Sequence, residues 1–164
     1  MFSIGQKVVY GQSGVCVIED ITEKQLRKNE KSLYYVLKPF FQQNDTIYAP
    51  VNSEKIHIRE VISKEEANAL ISEMPLIAEK TALQNLTPED YRAELSYHKS
   101  EDLAKIAAII YKKKKTAQSQ KKKLGFSDEK YMHIAENLLF GELSVALEIP
   151  LEEVKGYIEE KIKN

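Results

Sequence analysis

Up to about residue 60, the apolar positions of the chain come as short runs of Val, Ile and Tyr broken by turn-forming residues, the pattern of several short strands. It predicts five strands, Lys7–Tyr10, Val15–Ile21, Leu33–Lys38, Thr46–Ala49 and Lys55–Ile58. Gly11–Gly14 supplies the first turn, the charged segment Arg27–Lys31 the tip of the second hairpin, and Gln42–Asp45 a polar third turn. Alternation within Val15–Ile21 puts Val15, Val17 and Glu19 on one face and Cys16, Ile18 and Asp20 on the other. Both faces are partly apolar, which predicts a small sheet curling into a β-barrel or half-barrel.

From Ser63 onward the vocabulary changes to Ala, Leu, Glu and Lys with recognisable helix starts. Ser63–Glu66 reads as a capping box. Thr87-Pro88-Glu89-Asp90 reads as a cap, a proline at the first helical position and two acids at the positive end of the dipole. Ser100-Glu101-Asp102 and Ser127-Asp128-Glu129-Lys130 open two more helices, and Gly125 is expected to stop the lysine-rich one before it. Met74-Pro75 and Ile149-Pro150 are further expected boundaries, because proline disfavours helical geometry in the residue before it. About five helices result, with an apolar stripe at Leu103, Ile106, Ala107, Ile110 and Tyr111. The expected fold class is therefore α+β, a β domain over residues 1–60 followed by an all-α helical bundle over 63–164, joined by a short hinge around Arg59–Ser63.

Charge sharpens this picture. The 164 residues carry 24 basic and 25 acidic side chains, a net charge of −1, which argues against a uniformly basic nucleic-acid binder. The average conceals a local field: Lys105–Lys123 holds eight lysines and no acid, whereas Leu124–Asn164 holds four lysines against nine acids. Lys105, Lys112 and Lys115 are expected to share a helix face with Lys122 and Lys123, a stripe suited to phosphates; the alternative is a solvated helix end. Lys113 and Lys130 complete the basic set considered for DNA. No apolar run reaches the roughly 20 residues of a membrane span. The amino terminus lacks the pattern of a secretory signal, so the expected location is cytoplasmic.

The search for catalytic chemistry is mostly negative. Walker, GxGxxG, GxSxG and HExxH patterns are absent. Cys16 is the only cysteine and falls in a predicted strand, where a buried inert thiol is the simpler reading. His57, His98 and His133 are scattered, and the acidic pairs Glu19-Asp20, Glu89-Asp90 and Glu152-Glu153 suit caps and solvated faces. Tyr34, Tyr35, Phe40 and Phe41 suit core or hairpin packing. The expectation is a protein without catalysis, metal or cofactor.

Phe2-x-Ile4-Gly5-x-x-Val8-Val9-Tyr10 followed by Gly14, then Tyr35-Val36-Leu37-Lys38, Pro50, Arg59-Glu60-Val61 and Leu139-Phe140-Gly141-Glu142-Leu143 resemble the CarD family of bacterial transcription regulators. The polymerase-binding module of transcription-repair coupling factors shares the opening motif. The resemblance implies a Tudor-like β domain that grips the RNA polymerase beta subunit and a helical domain that contacts promoter DNA and stabilises the open complex. It places polymerase contact at Lys24, with Gln25 and Arg27 nearby, and at Tyr48, where the family has an arginine. On the DNA side it puts Thr87 where the family wedges a tryptophan into the minor groove, and Arg92 at a conserved-charge position; Glu89 and Asp90 stand where basic residues would hold phosphate. The expected DNA binding is weak and salt dependent, and a monomer suffices. A protein-only adaptor without functional DNA contact is the competing reading.

Overall fold

A computed structural model describes residues 1–42, 44–52, 57–81, 86–96 and 98–163. The chain divides into two compact units, Met1–Val61 and Ile62–Asn164.

The first unit is a five-stranded antiparallel sheet in the order β4-β3-β2-β1-β5. Its strands are β1 (Lys7–Tyr10), β2 (Gly14–Arg27), β3 (Glu30–Pro39), β4 (Ile47–Pro50) and β5 (Ile58–Glu60). The β2–β3 hairpin is longer than the hydrophobic pattern predicts, because cross-strand backbone bonding continues past the last buried residue, through Glu23↔Leu33 and Lys24↔Ser32 to Arg27↔Glu30. Asn29, at φ 68°, turns its tip. The fifth strand begins at Ile58 rather than Lys55; positions 55 and 56 lie outside the described residues. Gly14 sits at φ 71°, ψ −146°, a conformation reserved for glycine, and this lets β2 leave the turn paired to Tyr10.

The expected closing barrel is corrected to an open sheet. Among the described residues β4 pairs with β3 alone and β5 with β1 alone, so two edges remain. The expected alternation also breaks, at a bulge: Ile18 pairs with Leu37 but Asp20 pairs with Val36, which leaves Glu19 as the extra residue. Cys16 and Ile18 therefore face the core, Glu19 and Asp20 both reach solvent, and Ile21 returns to the apolar side. The core is Val8, Cys16, Ile18, Tyr35, Leu37 and Ala49, with Phe2 packed on Tyr35.

The second unit comprises α1 (Lys64–Lys80), α2 (Pro88–Ser96), α3 (Ser100–Ser119), α4 (Phe126–Leu147) and α5 (Val154–Lys163). Ser63 caps α1 in the predicted reciprocal arrangement: its hydroxyl accepts from the Glu66 amide at 3.0 Å. Pro75 does not end α1, as expected from the Met74-Pro75 step, but lies inside it. The helix continues because Met74 and Ile77 extend the buried face begun by Ala67, Leu70 and Ile71, while the proline ring points to solvent.

Gly125 does not stop α3 either. The helix ends at Ser119, and the chain turns through Lys121 at φ 57°. The Lys122 amide donates to the Ala117 carbonyl at 2.7 Å and the Lys121 amide to Gln118 at 3.0 Å, a Schellman closure with lysine where glycine is usual. Gly125 is instead the residue that precedes α4, which starts at Phe126 rather than after a Ser127 cap. Leu95, Leu103, Ile106, Ile110, Tyr131, Leu139, Leu143 and Val154 fill the core between the helices. Tyr111, expected in the apolar stripe, is 55% exposed.

Candidate functional site

The outer face of the sheet follows from the register. Tyr35 and Leu37 of β3 and Ala49 of β4 point into the core, so Tyr34, Val36 and Tyr48 point the other way, as does Lys24, which pairs with Ser32. On this face the Lys24 ammonium lies 3.9 Å from the centre of the Tyr48 ring, reaching across β3. The ammonium sits against the electron-rich face of the ring, an attraction of about 0.5–1 kcal/mol at an exposed site. Two residues 24 positions apart in sequence thus form one cationic and aromatic patch beside the open edge of β4. Gln25 and Arg27 are exposed further along β2, towards the hairpin tip.

The residues expected to meet DNA fall on different elements, and several are engaged within the protein. Thr87 caps α2: its hydroxyl accepts from the Asp90 amide at 3.2 Å, and its own amide donates to the Asp90 carboxylate at 2.9 Å. Those bonds hold the Asp90 carboxyl below the usual carboxylate range. Arg92 pairs with Glu89 at 3.6 Å in full view of solvent. The start of α2 is thus internally satisfied, with no cation left over among its described residues.

Along α3, Lys105 is exposed, the Lys112 ammonium donates to the Thr81 carbonyl, and the Lys115 ammonium stands 4.9 Å from the centre of the Tyr111 ring. Lys113 is turned inward, 3.3 Å from Asp128 Oδ1, with its side chain only 12% exposed. The Tyr91 hydroxyl donates to that same oxygen at 2.5 Å. Lys122 and Lys123 follow the end of α3, so the expected continuous stripe from Lys105 to Lys123 on one helix face is corrected to separate groups. With Lys114 they line a cleft of about 220 Å³ that also includes Glu129. Lys130 lies over the Tyr131 ring, 5.4 Å from its centre.

The groups considered for chemistry are dispersed. Cys16 is fully buried, its thiol donating to the Gly14 carbonyl at 3.6 Å, and burial pushes it up to about 11. His98 is buried in the helical unit, whereas His57 and His133 are exposed in different units.

The opening motif builds the sheet unit rather than a ligand site. Gly5, at φ 88°, donates its amide to the Ile18 carbonyl at 2.7 Å, and Ile18 donates back to Gln6 at 3.0 Å, so the segment before β1 is sewn onto β2. Phe2 closes over this end of the core, its amide donating to the Tyr35 hydroxyl at 3.0 Å. Residues 2–62 match the family model of the CarD-like/TRCF RID domain. Residues 2–62 are thus similar to a CarD-like domain. The match coincides with the sheet unit, and a CarD-like domain of this kind is a polymerase-interacting domain.

Outside the matched residues, the Leu139–Leu143 motif is structural as well. Gly141 is buried inside α4, and Glu142, 1% exposed, accepts from the Ile62 amide at 3.2 Å just ahead of α1. What the sequence reading missed is the Tyr91–Asp128–Lys113 cluster. Lys113 stands three residues after Ile110 and seven after Ile106, on the buried stripe itself, and that spacing was the available signal. None of the described α-helices is long and apolar enough to cross a membrane.

Proposed function

We propose that this protein is a non-catalytic regulator of transcription initiation. Its sheet unit, of Tudor-like kind, docks on the RNA polymerase beta subunit, and its helical unit touches promoter DNA and shifts the stability of the open complex. The observation that carries the polymerase half is the Lys24–Tyr48 patch beside the unpaired edge of β4 in a domain of polymerase-interacting type. An open edge offers backbone donors and acceptors to a partner strand, and the cation and ring beside it supply selectivity. Tyr48 gives packing and a hydroxyl where an arginine would give charge, so the partner surface here is less acidic than one matched to two cations.

The test is capture of purified RNA polymerase by the full chain, with Lys24→Glu as the decisive variant. Reversing the charge weakens binding at least about tenfold, or roughly 1.4 kcal/mol. Equal binding by wild type and Lys24→Glu, or none by either at micromolar protein, overturns the assignment.

A second reading, a protein-only adaptor, draws on the start of α2. There the Thr87–Asp90 cap and the Glu89–Arg92 pair leave little for a phosphate, and Lys113 is engaged by Asp128. Salt-dependent DNA affinity separates the two, since the adaptor has none.

A further inference from the structure

Among the described residues of the helical unit, one large apolar side chain stands almost wholly in solvent: Phe126, 86% exposed at the first position of α4. The segment that presents it is fixed at both sides. Lys121 and Lys122 close α3 through their amides, Leu124 packs against the core, and the Gly125 carbonyl accepts from the Glu129 amide at 3.0 Å. Three to five residues before Phe126 stand Lys121, Lys122 and Lys123, all exposed, and no described residue forms an ion pair with any of them. A held aromatic ring next to three unpaired cations is costly in isolation, since the ring orders water and the ammonium groups repel. Both costs disappear against a ligand that combines flat aromatic faces with closely spaced negative charge.

We infer that Phe126 and Lys121–Lys123 form a nucleic-acid contact, the ring stacking on an unpaired base and the lysines meeting the flanking phosphates. This rests on the proposed DNA contact and names the residues that make it. Lys122 and Lys123, with Lys114, line the neighbouring cleft, where Glu129 is the carboxylate that limits how many phosphates fit. Stacking tolerates any base, so the contact selects unpaired over paired strands rather than one sequence over another. An anionic lipid surface could also accept a ring and three lysines, but membrane-bound helices insert a continuous apolar face, and the apolar residues of α4, such as Leu139 and Leu143, are consumed by the core.

The experiment is fluorescence anisotropy with the full chain and labelled DNA of about 20 nucleotides, as a single strand, a duplex and a duplex with an unpaired internal stretch. Salt is varied between about 50 and 200 mM. Phe126→Ala weakens binding to the single strand and to the unpaired stretch by about 5- to 150-fold and leaves the salt slope unchanged. The double variant Lys122→Gln with Lys123→Gln lowers the log–log salt slope by about 1.4 on the single strand. Wild-type DNA binding that both variants retain in full overturns the inference while the DNA reading stands. Failure of the wild type to bind any of the three DNAs overturns both. Capture by phosphatidylserine vesicles that Phe126→Ala abolishes, with DNA binding unaltered, overturns it in favour of a lipid surface.

Discussion

Tyr91 and Asp128 are joined by a 2.5 Å hydrogen bond that ties α2 to α4, with the tyrosine hydroxyl donating to a carboxylate oxygen that Lys113 also approaches. The Tyr91 ring is fully buried and stacks on Tyr131, their centres 4.7 Å apart and their planes 14° from parallel. The arrangement is self-consistent. The carboxylate satisfies a hydroxyl that would otherwise be stranded in the core, and Lys113 neutralises the carboxylate. Removing one member leaves another unpaired, which is the expensive case.

Tyr91→Phe is therefore expected to lower stability by about 1–3 kcal/mol in urea unfolding, and Asp128→Asn by a similar amount. The pH dependence has a definite sign. Burial, and then the bond to Asp128 and its charge, hold the Tyr91 hydroxyl above its ordinary value of 10.0. The folded state favours the protonated phenol, so this contribution is complete below pH 10 and is lost as pH rises beyond it. Wild type should lose stability above pH 10 more steeply than Tyr91→Phe. Parallel curves for the two proteins would refute the coupling.

Pro75 inside α1 removes a backbone donor and crowds the preceding turn, which costs about 3 kcal/mol in an unaccommodating helix. Pro75→Ala restores the amide. Part of the gain is offset by the greater freedom of the unfolded chain, so the expected change is a stabilisation of about 1–2 kcal/mol by urea unfolding. A loss of stability would mean that the backbone geometry set by the proline is needed to seat Met74 and Ile77.

These cases show what the residue order revealed and what it hid. The change from strands to helices near residue 60, the Ser63 cap and the Thr87 cap were legible because each depends on neighbours within four residues. The bulge at Glu19 was not, since it is defined by what stands on β3. Pro75 misled because a local rule was overridden by burial on both sides of it. Lys24 and Tyr48 were each named as candidates, yet their meeting depends on two strands flanking a third. Counting lysines suggested one stripe, but Lys113 turns to Asp128 and Lys122–Lys123 follow the end of the helix.

The end of α3 offers a cleaner separation of stability from binding. Lys121 holds a left-handed conformation that costs a side-chain-bearing residue about 1 kcal/mol. Lys121→Gly relieves that strain and is expected to raise the unfolding midpoint by a few degrees, for roughly 0.5–1 kcal/mol. It should at the same time weaken DNA affinity by removing one cation. A variant that is both less stable and weaker in binding would point instead to lost packing of the lysine stem.

Cys16 supplies a probe of the sheet unit that needs no mutation. Burial between β1 and β3 pushes its thiol from 9.0 to about 11, so almost none is thiolate at pH 8 and reagents have no direct path to it. Modification by a thiol-reactive disulfide should therefore proceed only through opening of the sheet, far more slowly than for a free cysteine, and should accelerate with urea in step with unfolding. The sign with pH is the same as for Tyr91: the folded state prefers the protonated thiol, so its contribution is complete below pH 9 and is lost as pH rises through 11. Rapid labelling at pH 8 without denaturant would show that β1 or β5 leaves the sheet readily, and would shift attention from the β4 edge to the β1–β5 side as the place where a partner strand enters.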